Sequence, residues 1–316
     1  MISGIRTVKD ITEIIFRTML TGKTKKPWVA CVDITNRCNL NCSFCYWRKK
    51  KPTIELSDSE MIEKMKELYH SGFKHLFIMG GEPMLRPRVV NEATKIFPFS
   101  FICTNGTVSL NKASPTLWFL SLDGPEKIHD KLRGRGSFKK IINNLKYSKR
   151  PVIINMTLNR KNCLHIEELI NVLLKTKAVG IGFSFYSPCL PKDDPDLAIP
   201  LKARGEVMDS ILKLKKRYGR FIMFTEQIKN FFDPEKYFYK WNSKEKCFLR
   251  TEYRSFGADG KPRYYCPHGE TTTCHLCGCG GVPFRYALAS LDLATLRLGF
   301  YIFKQILIQN LTKDSN

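Results

Sequence analysis

The sequence predicts an α/β fold, a partial (β/α)6 barrel of the TIM type with a small cysteine-rich C-terminal extension. Two observations predict the barrel: β-rich apolar runs alternate with helical patterns from residue 28 to about residue 225, and polar motifs directly follow several of these runs. Such alternation is typical of a parallel sheet with helical crossovers, in which the chemistry lies at the carboxyl ends of the strands. The alternation stops near residue 240, where a cysteine-rich segment begins, and this third observation predicts the extension.

The predicted elements follow one another in a regular order. The strands cover residues 28–35, 75–81, 100–106, 116–124, 152–159 and 180–187, with a further strand considered at 220–225. Ser57 begins the first helix, with Glu60 three residues on in a capping box, and Ser137 is predicted to cap a later one. The other helices are predicted at 88–97, 165–176 and 201–218. The chain is thereby divided into an N-terminal helical segment (1–27), the barrel (28–235) and the extension (236–316), which ends in a helix.

Composition limits the cellular setting. The 316 residues are 43% hydrophobic, which suits one large domain with a small appendage. The N-terminus lacks the pattern of a secretory signal, and the 12 cysteines then indicate a reducing compartment, where thiols act as metal ligands or buried apolar groups. We therefore predict a cytoplasmic protein. The apolar tail at 282–311 carries four charges; we interpret it as a core-packed or interfacial helix, and peripheral membrane contact stays open.

The charge balance leaves several partners open. The 52 basic and 29 acidic residues give a net charge of +23. This excess fits solvated lysine-rich faces, an anionic substrate, nucleic acid, an acidic membrane surface or an acidic electron-donor protein. The basic run at 48–51 follows directly after a cysteine-rich loop. It is either a solvated loop or a docking patch for an acidic donor of the flavodoxin or ferredoxin type.

Three cysteines follow the first predicted strand. Cys38, Cys42 and Cys45 have the spacing C-x3-C-x2-C. Three thiolates can hold three irons of a [4Fe–4S] cluster, which leaves the fourth iron open to another ligand. The alternatives are a zinc site with a remote fourth ligand, or plain packing.

Two further sequence features favour the iron–sulfur site over a zinc site or plain packing. Phe44 precedes the third cysteine, and Gly80-Gly81-Glu82-Pro83 follows the second predicted strand. With these motifs the chain, from about residue 28 to residue 186, resembles the radical S-adenosylmethionine (SAM) superfamily. The resemblance implies that SAM is cleaved reductively to methionine and a 5′-deoxyadenosyl radical, which abstracts hydrogen from the substrate. The cofactors carry this step, and the protein places them and excludes water.

The resemblance also assigns roles to individual residues. Cys38, Cys42 and Cys45 would each bind one iron, and SAM would chelate the fourth. Phe44 would lie against the adenine, and Glu82 would accept from the SAM amino group, with Gly80 and Gly81 allowing close approach of the backbone. The resemblance further implies contacts to SAM from residues at other strand ends and from one later arginine: Thr104, Asn105, Ser121, Asp123 and Arg133. Taken singly, these residues could equally cap a helix, form a turn or pack in the core.

The C-terminal segment contains a second group of cysteines. Its five cysteines lie within 33 residues: Cys247, Cys266, Cys274, Cys277 and Cys279. The dipeptide Asp259-Gly260 before Cys266 predicts a hairpin turn. The segment resembles the twitch and SPASM extensions of radical SAM enzymes, which implies an auxiliary [4Fe–4S] cluster on Cys247, Cys266 and two of the last three cysteines. A structural zinc site that uses His268 or His275 is the alternative.

The sequence thus predicts a radical SAM enzyme with [4Fe–4S], SAM and a second, auxiliary [4Fe–4S] cluster. The expected substrate is a peptide or protein, or a lipid-linked small molecule, and the expected reductant is an acidic flavodoxin or ferredoxin. The alternative is a non-catalytic, zinc-stabilised basic protein that binds nucleic acid. That alternative assigns no purpose to the glycine–glutamate motif at 80–83 or to the "SLDG" motif at 121–124.

Overall fold

The structure is a computed structural model that describes residues 13, 16–18, 26–47, 54–97, 99–113, 115–150, 152–189, 195–263, 266 and 273–311. The predicted N-terminal helical segment lies largely outside these residues. The basic run at 48–51 and His268 lie entirely outside them.

The described strands form one open, parallel, seven-stranded sheet. The strands are β1 Val29–Asp33, β2 His75–Met79, β3 Phe99–Thr104, β4 Leu117–Ser121, β5 Val152–Leu158, β6 Ala178–Phe185 and β7 Tyr253–Phe256. Their order is β6-β5-β4-β3-β2-β1-β7, so the first six follow the chain and β7 adds to the free side of β1. This arrangement confirms the predicted partial barrel. We call the end of the sheet at which the carboxyl ends of the strands lie the mouth.

Helices connect the strands, and two further helices come after the last strand in the chain. Their bounds are α1 Asp58–His70, α2 Pro87–Ile96, α3 Glu126–Arg133, α4 Ser137–Lys146, α5 Ile166–Leu173, α6 Leu201–Tyr218, α7 Glu226–Phe232, α8 Leu249–Glu252, α9 Gly281–Ala289 and α10 Leu293–Leu311. Short 3-10 helices lie at Pro83–Leu85, Leu110–Lys112, Pro195–Leu197, Gly219–Phe221, Phe238–Lys240 and Cys274–Leu276. The apolar residues of α1, α4 and α5 recur at helical spacing and are buried against the sheet. The capping box of α1 is present as predicted, since Glu60 N donates to Ser57 Oγ and Ser57 N donates to the Glu60 carboxylate.

Two local predictions were wrong. Residues 220–225 do not add a strand; a 3-10 helix occupies Gly219–Phe221, and only one parallel bridge joins Ile222 to Ile181. Ser137 does not cap α4, because Gly136 occupies the N-cap position at φ 77°. The Asp130 carboxylate from α3 serves instead, accepting from Gly136 N at 2.5 Å and from Phe138 N at 2.9 Å. Helix α4 therefore begins at Ser137, as predicted, but the carboxylate that caps its N-terminus belongs to Asp130 of the preceding helix.

The segment after residue 235 is joined to the barrel through the sheet itself. Strand β7 lies beyond the predicted boundary, yet it pairs with β1 along its whole length. The chain then turns at Asp259-Gly260, where Gly260 has φ 71°, and returns so that Arg263 N donates to Ser255 O at 2.6 Å. The hairpin turn predicted before Cys266 is therefore present.

The C-terminal tail is two helices rather than one. Leu291, at φ 59°, interrupts the helical path, and Asp292 starts α10 by accepting from Thr295 N at 2.8 Å. In the described part of the chain, no single helix is long and apolar enough to cross a membrane. Helices α9 and α10 meet that criterion only as a pair, and they are bent by 115° at the break.

Candidate functional site

The first cysteine group lies in a loop that leaves β1 at the mouth. Cys38 is exposed, whereas Cys42 and Cys45 are half-buried. The loop is anchored to the end of α3, because Ser43 N donates to Leu132 O at 3.0 Å. The three thiols therefore face the same end of the sheet as the other strand-end motifs.

Two glycines allow this loop to pack against the end of β2. Gly81 N donates to Thr35 O at 2.9 Å, and Glu82 N donates to Arg37 O at 2.8 Å. Gly80 adopts φ 130°, a conformation that side chains disfavour. A Cβ on Gly81 would lie 2.1 Å from Arg37 O. The close approach expected of these glycines is thus made by the cysteine loop itself.

Replacing Gly81 with alanine is expected to lower the free energy of unfolding by about 3 kcal/mol, since the new methyl group overlaps backbone that cannot move freely. Gly205→Ala in α6 is the matched control. Nothing lies within 4 Å of its added Cβ, so it should raise stability by about 0.5–1 kcal/mol. Chemical denaturation of both variants measures the difference, and equal unfolding midpoints would contradict the proposed overlap at Gly81.

Glu82 is fully buried between the ends of β2 and β3. Its Oε1 accepts from Met84 N at 2.9 Å and from Thr104 Oγ1 at 2.7 Å, and its Oε2 accepts from Asn105 N at 2.7 Å. Burial raises the pKa of Glu82, and these hydrogen bonds oppose the shift only in part. The carboxylate therefore joins two strand ends and caps a short helix. Its acceptance from the SAM amino group stays a prediction.

Asn105 connects the same strand end to the cysteine loop. Its Nδ2 donates to Asn39 Oδ1 at 3.0 Å and lies 3.8 Å from Cys38 Sγ. Its Oδ1 accepts from Thr107 N at 2.9 Å. The structure thus brings Glu82, Asn105 and Cys38 together, as the convergence of strand ends predicts.

A second cluster lies beside Cys42. Arg133 Nε donates to Asp123 Oδ2 at 2.5 Å, and Asp123 Oδ1 accepts from Thr157 N at 2.7 Å. The guanidinium of Arg133 lies 5.4 Å from the centroid of the Phe44 ring. Burial raises the pKa of the Cys42 thiol, while Arg133 opposes this rise. Arg133 is thus paired with a carboxylate of the chain, and its expected contact with SAM stays a prediction.

Ser121 occupies the end of β4, two residues before Asp123. It is half-buried and aligned with Asn155 of β5 in the sheet register. Its position at the mouth agrees with the expected strand-end site. Its contact with SAM stays a prediction.

The C-terminal cysteines divide into a group of four and a neighbour. Cys247, Cys266, Cys277 and Cys279 all pack against the barrel core, whereas Cys274 does not. Burial raises the pKa of Cys247 well above its usual value, and the thiols of Cys277, Cys279 and Cys266 add to the rise. At Cys274 burial raises the pKa as well, and the charges that act there are those of Lys244 and Glu245, although Cys274 in turn contributes to the raised pKa of Cys277. Packing against the barrel core therefore separates these four thiols from Cys274, and their role as ligands stays a prediction.

The segment that carries Cys277 and Cys279 lies against the end of β6. Phe185 N donates to Gly278 O at 2.7 Å, and Gly278 N donates to Ser187 Oγ at 2.7 Å. A Cβ on Gly278 would lie 2.0 Å from Phe185 O. Because β6 is parallel to β1, this contact places the second cysteine group at the same mouth as the first.

Tyr46 follows Cys45 in the loop after β1 and is half-buried. Burial raises its pKa well above the usual value, and charges at Asp33, Cys103, Cys45 and Cys266 act on it in the same direction. Cys45 belongs to the loop after β1 and Cys266 to the extension. The pKa of Tyr46 is therefore sensitive to a thiol of each group.

Both groups fit iron–sulfur clusters by the chemistry of their donors. Each thiolate of such a cluster binds an iron of its own, so three thiols suit a site with one open iron and four suit a closed one. Ligation would release the thiol protons, whose loss burial disfavours here. Among the residues that the structure describes, no three His, Cys, Asp or Glu side chains are placed to share a single metal ion.

Some residues at the mouth were missed by sequence reasoning. Arg86 is buried and donates to Ile34 O at 2.5 Å and to Asp58 Oδ1 at 2.8 Å, which supports the loop after β1. Arg204 of α6 donates to the carbonyls of Leu276 and Cys277 at 2.8 Å each. Burial lowers the pKa of Arg204 to about 10, so it remains charged at neutral pH. Neither arginine belongs to a sequence motif. The partners of each lie far away in the chain and are brought to it only by the tertiary fold.

Comparison with curated proteins finds relatives for the barrel. The sporulation killing factor maturation protein SkfB of Bacillus subtilis is 33% identical over 154 residues, which cover 44% of this chain and 38% of SkfB. Fe-coproporphyrin III synthase of Methanosarcina barkeri is 28% identical over 196 residues, which cover 57% of this chain and 49% of the synthase. The chain thus spans less than half the length of either relative.

Comparison with solved structures agrees on the fold. Streptococcus suis SuiB bound to the precursor peptide SuiA superposes with a TM-score of 0.63 at 14% identity, over 82% of this chain and 63% of SuiB.

The profile described as the radical SAM superfamily matches residues 32–188, which contain the first cysteine group and the motifs after β2, β3 and β4. Residues 32–188 therefore belong to the radical SAM superfamily, whose members use a [4Fe–4S] cluster and SAM.

Proposed function

We propose that the chain is a radical SAM enzyme that modifies a peptide or protein and carries two clusters at one mouth. Cys38, Cys42 and Cys45 hold the SAM-binding cluster. Cys247, Cys266, Cys277 and Cys279 hold the auxiliary cluster. The observation that carries the proposal is that both cysteine-bearing segments contact strand ends of one parallel sheet. Gly81 N after β2 donates to Thr35 O in the first cysteine loop, and Phe185 N at the end of β6 donates to Gly278 O between Cys277 and Cys279.

The residues around the first group have distinct tasks in this proposal. When bound, the cluster and SAM supply a 5′-deoxyadenosyl radical that abstracts hydrogen from the substrate. Glu82 offers the remaining acceptor capacity of its Oε2 to the SAM amino group. Phe44 covers the adenine. The buried pair of Asp123 and Arg133 holds Arg133 beside Cys42.

A peptide substrate is supported by the relative whose name states a maturation role. SkfB is the more similar of the two relatives and is named for the maturation of a killing factor. The name of the Methanosarcina relative refers instead to a porphyrin. We therefore infer a peptide as the substrate of this chain and keep small molecules as outcomes of the test.

A lipid-linked substrate is the second candidate because the break after α9 and helix α10 expose apolar side chains. Leu291, Leu293 and Phe300 are 58%, 71% and 70% exposed. Together they would suit contact with a membrane surface.

The proposed reductant is an acidic flavodoxin or ferredoxin. Three thiolates on a [4Fe–4S]²⁺ core give −1 and four thiolates give −2, so the net charge of +23 becomes +20. An excess of this size steers an acidic partner towards the protein.

The substrate class can be tested with fractions of the native host. The reconstituted enzyme, SAM and dithionite are incubated anaerobically with a delipidated peptide fraction or with a lipid extract, and 5′-deoxyadenosine is measured by mass spectrometry. We expect the peptide fraction to raise 5′-deoxyadenosine formation about tenfold over the uncoupled reaction, a gain of about 1.4 kcal/mol. Protease treatment of that fraction should remove the increase. An increase with the lipid extract alone would contradict the peptide proposal and favour the lipid-linked substrate.

A further inference from the structure

Arg204 is a buried cation without an ion-pair partner among the described residues. It is 1% exposed. Its two terminal nitrogens donate to Cys277 O and Leu276 O, its guanidinium lies 4.8 Å from the centroid of the Phe185 ring, and its Nε has no hydrogen-bond partner. Carbonyl dipoles satisfy its donors but leave its charge uncompensated.

The other well-buried arginines of the described chain differ in this respect. Arg86 pairs with Asp58 at 2.7 Å, Arg133 with Asp123 at 2.5 Å, and Arg285 with Glu252 at 2.7 Å. A buried charge that lacks a counter-charge is strongly destabilising. The position of Arg204 therefore indicates that an anion completes its surroundings.

The residue that Arg204 holds belongs to the grouped thiols. Its bond to Cys277 O orients the backbone that presents Cys277, and the same segment lies against β6 through Gly278. Four thiolates on a [4Fe–4S]²⁺ core carry a net charge of −2, which would supply the missing anion. We propose that Arg204 is a positioning residue for the auxiliary cluster and acts as its buried counter-charge.

This inference rests on the auxiliary cluster of the proposed function, and it has a redox consequence. A nearby positive charge favours addition of an electron to the cluster, because reduction makes the cluster more negative. Removing the charge should therefore lower the reduction potential. Lysine preserves the charge but not the two-pronged hydrogen bonding of arginine.

The test uses the full chain with Cys38, Cys42 and Cys45 replaced by alanine, so that only the auxiliary cluster is titrated. The potential is measured by EPR during anaerobic redox titration. We expect Arg204→Gln to disfavour reduction about tenfold, which is about 59 mV for one electron. Arg204→Lys should keep the parent potential. Arg217→Gln is the matched control: Arg217 lies on the same helix, and its side chain is 71% exposed and paired with Glu167. It should leave the potential unchanged.

Iron content separates the outcomes. Arg204→Gln could lose the cluster, while Arg204→Lys binds it and keeps the parent's reduction potential. That result would also show that the positive charge is required. The inference is overturned if Arg204→Gln keeps the potential of Arg217→Gln, or if both Arg204 variants fail to load. If the folded protein that lacks Cys38, Cys42 and Cys45 but keeps Arg204 binds no iron, the proposal of an auxiliary cluster is wrong. The inference about Arg204 then fails with it.

Discussion

Replacing Cys38, Cys42 and Cys45 together with alanine is expected to abolish reductive cleavage of SAM. These thiols are the proposed ligands of the iron cluster that binds SAM, and without them the open iron is absent. The measurement is 5′-deoxyadenosine formed under dithionite, which should fall at least about a thousandfold, a loss of about 4 kcal/mol.

The auxiliary group provides the internal control for this variant. Its four cysteines are untouched, so about four irons per chain should remain after anaerobic reconstitution. If the triple variant still forms 5′-deoxyadenosine at the parent rate, the loop does not hold the SAM-binding cluster. If the product and all iron are lost while circular dichroism shows a folded protein, the auxiliary cluster is wrong. If circular dichroism shows an unfolded protein, single cysteine variants must replace the triple one.

Replacing Cys277 with serine is expected to remove the auxiliary cluster and to leave the SAM-binding cluster in place. Cys277 is half-buried, packs against the barrel core as the other grouped thiols do, and has its backbone carbonyl held by Arg204. The reconstituted parent should bind about eight irons per chain, and Cys277→Ser about four.

Cys274→Ser is the matched control for this change. Cys274 lies only three residues away but does not pack against the barrel core with the other four cysteines, so its variant should keep about eight irons. Equal iron loss in both variants would place Cys274 among the ligands. A parent with about four irons and one zinc would instead support a structural zinc site in the extension.

Much of the barrel could be predicted from the sequence because its signals are local. Strands β1 to β6 lie at the apolar runs, and the helix at Leu201–Tyr218 matches its predicted bounds. The interpretation of 220–225 failed because an apolar run looks alike in a strand and in a short turn before a helix. The break at Leu291 was also missed, although Asp292, a residue type that favours helix N-caps, follows it directly.

The candidate site was predictable in its motifs but not in its internal pairing. Spacing predicts that Cys38, Cys42 and Cys45 act together. No local pattern shows that Arg133 is paired with Asp123, or that the carboxylate of Glu82 joins two strand ends. The choice of Cys277 and Cys279 over Cys274 likewise depends on contacts with the barrel core, which only the fold supplies.

The central claim is that two clusters with different functions lie at one mouth, and EPR of the reduced protein with and without SAM tests it most directly. Two [4Fe–4S]⁺ signals are expected, which together account for about eight irons per chain. SAM should shift only the signal that disappears when Cys38, Cys42 and Cys45 are replaced by alanine. A single signal that accounts for about four irons, or two signals that SAM leaves unchanged, would contradict the claim.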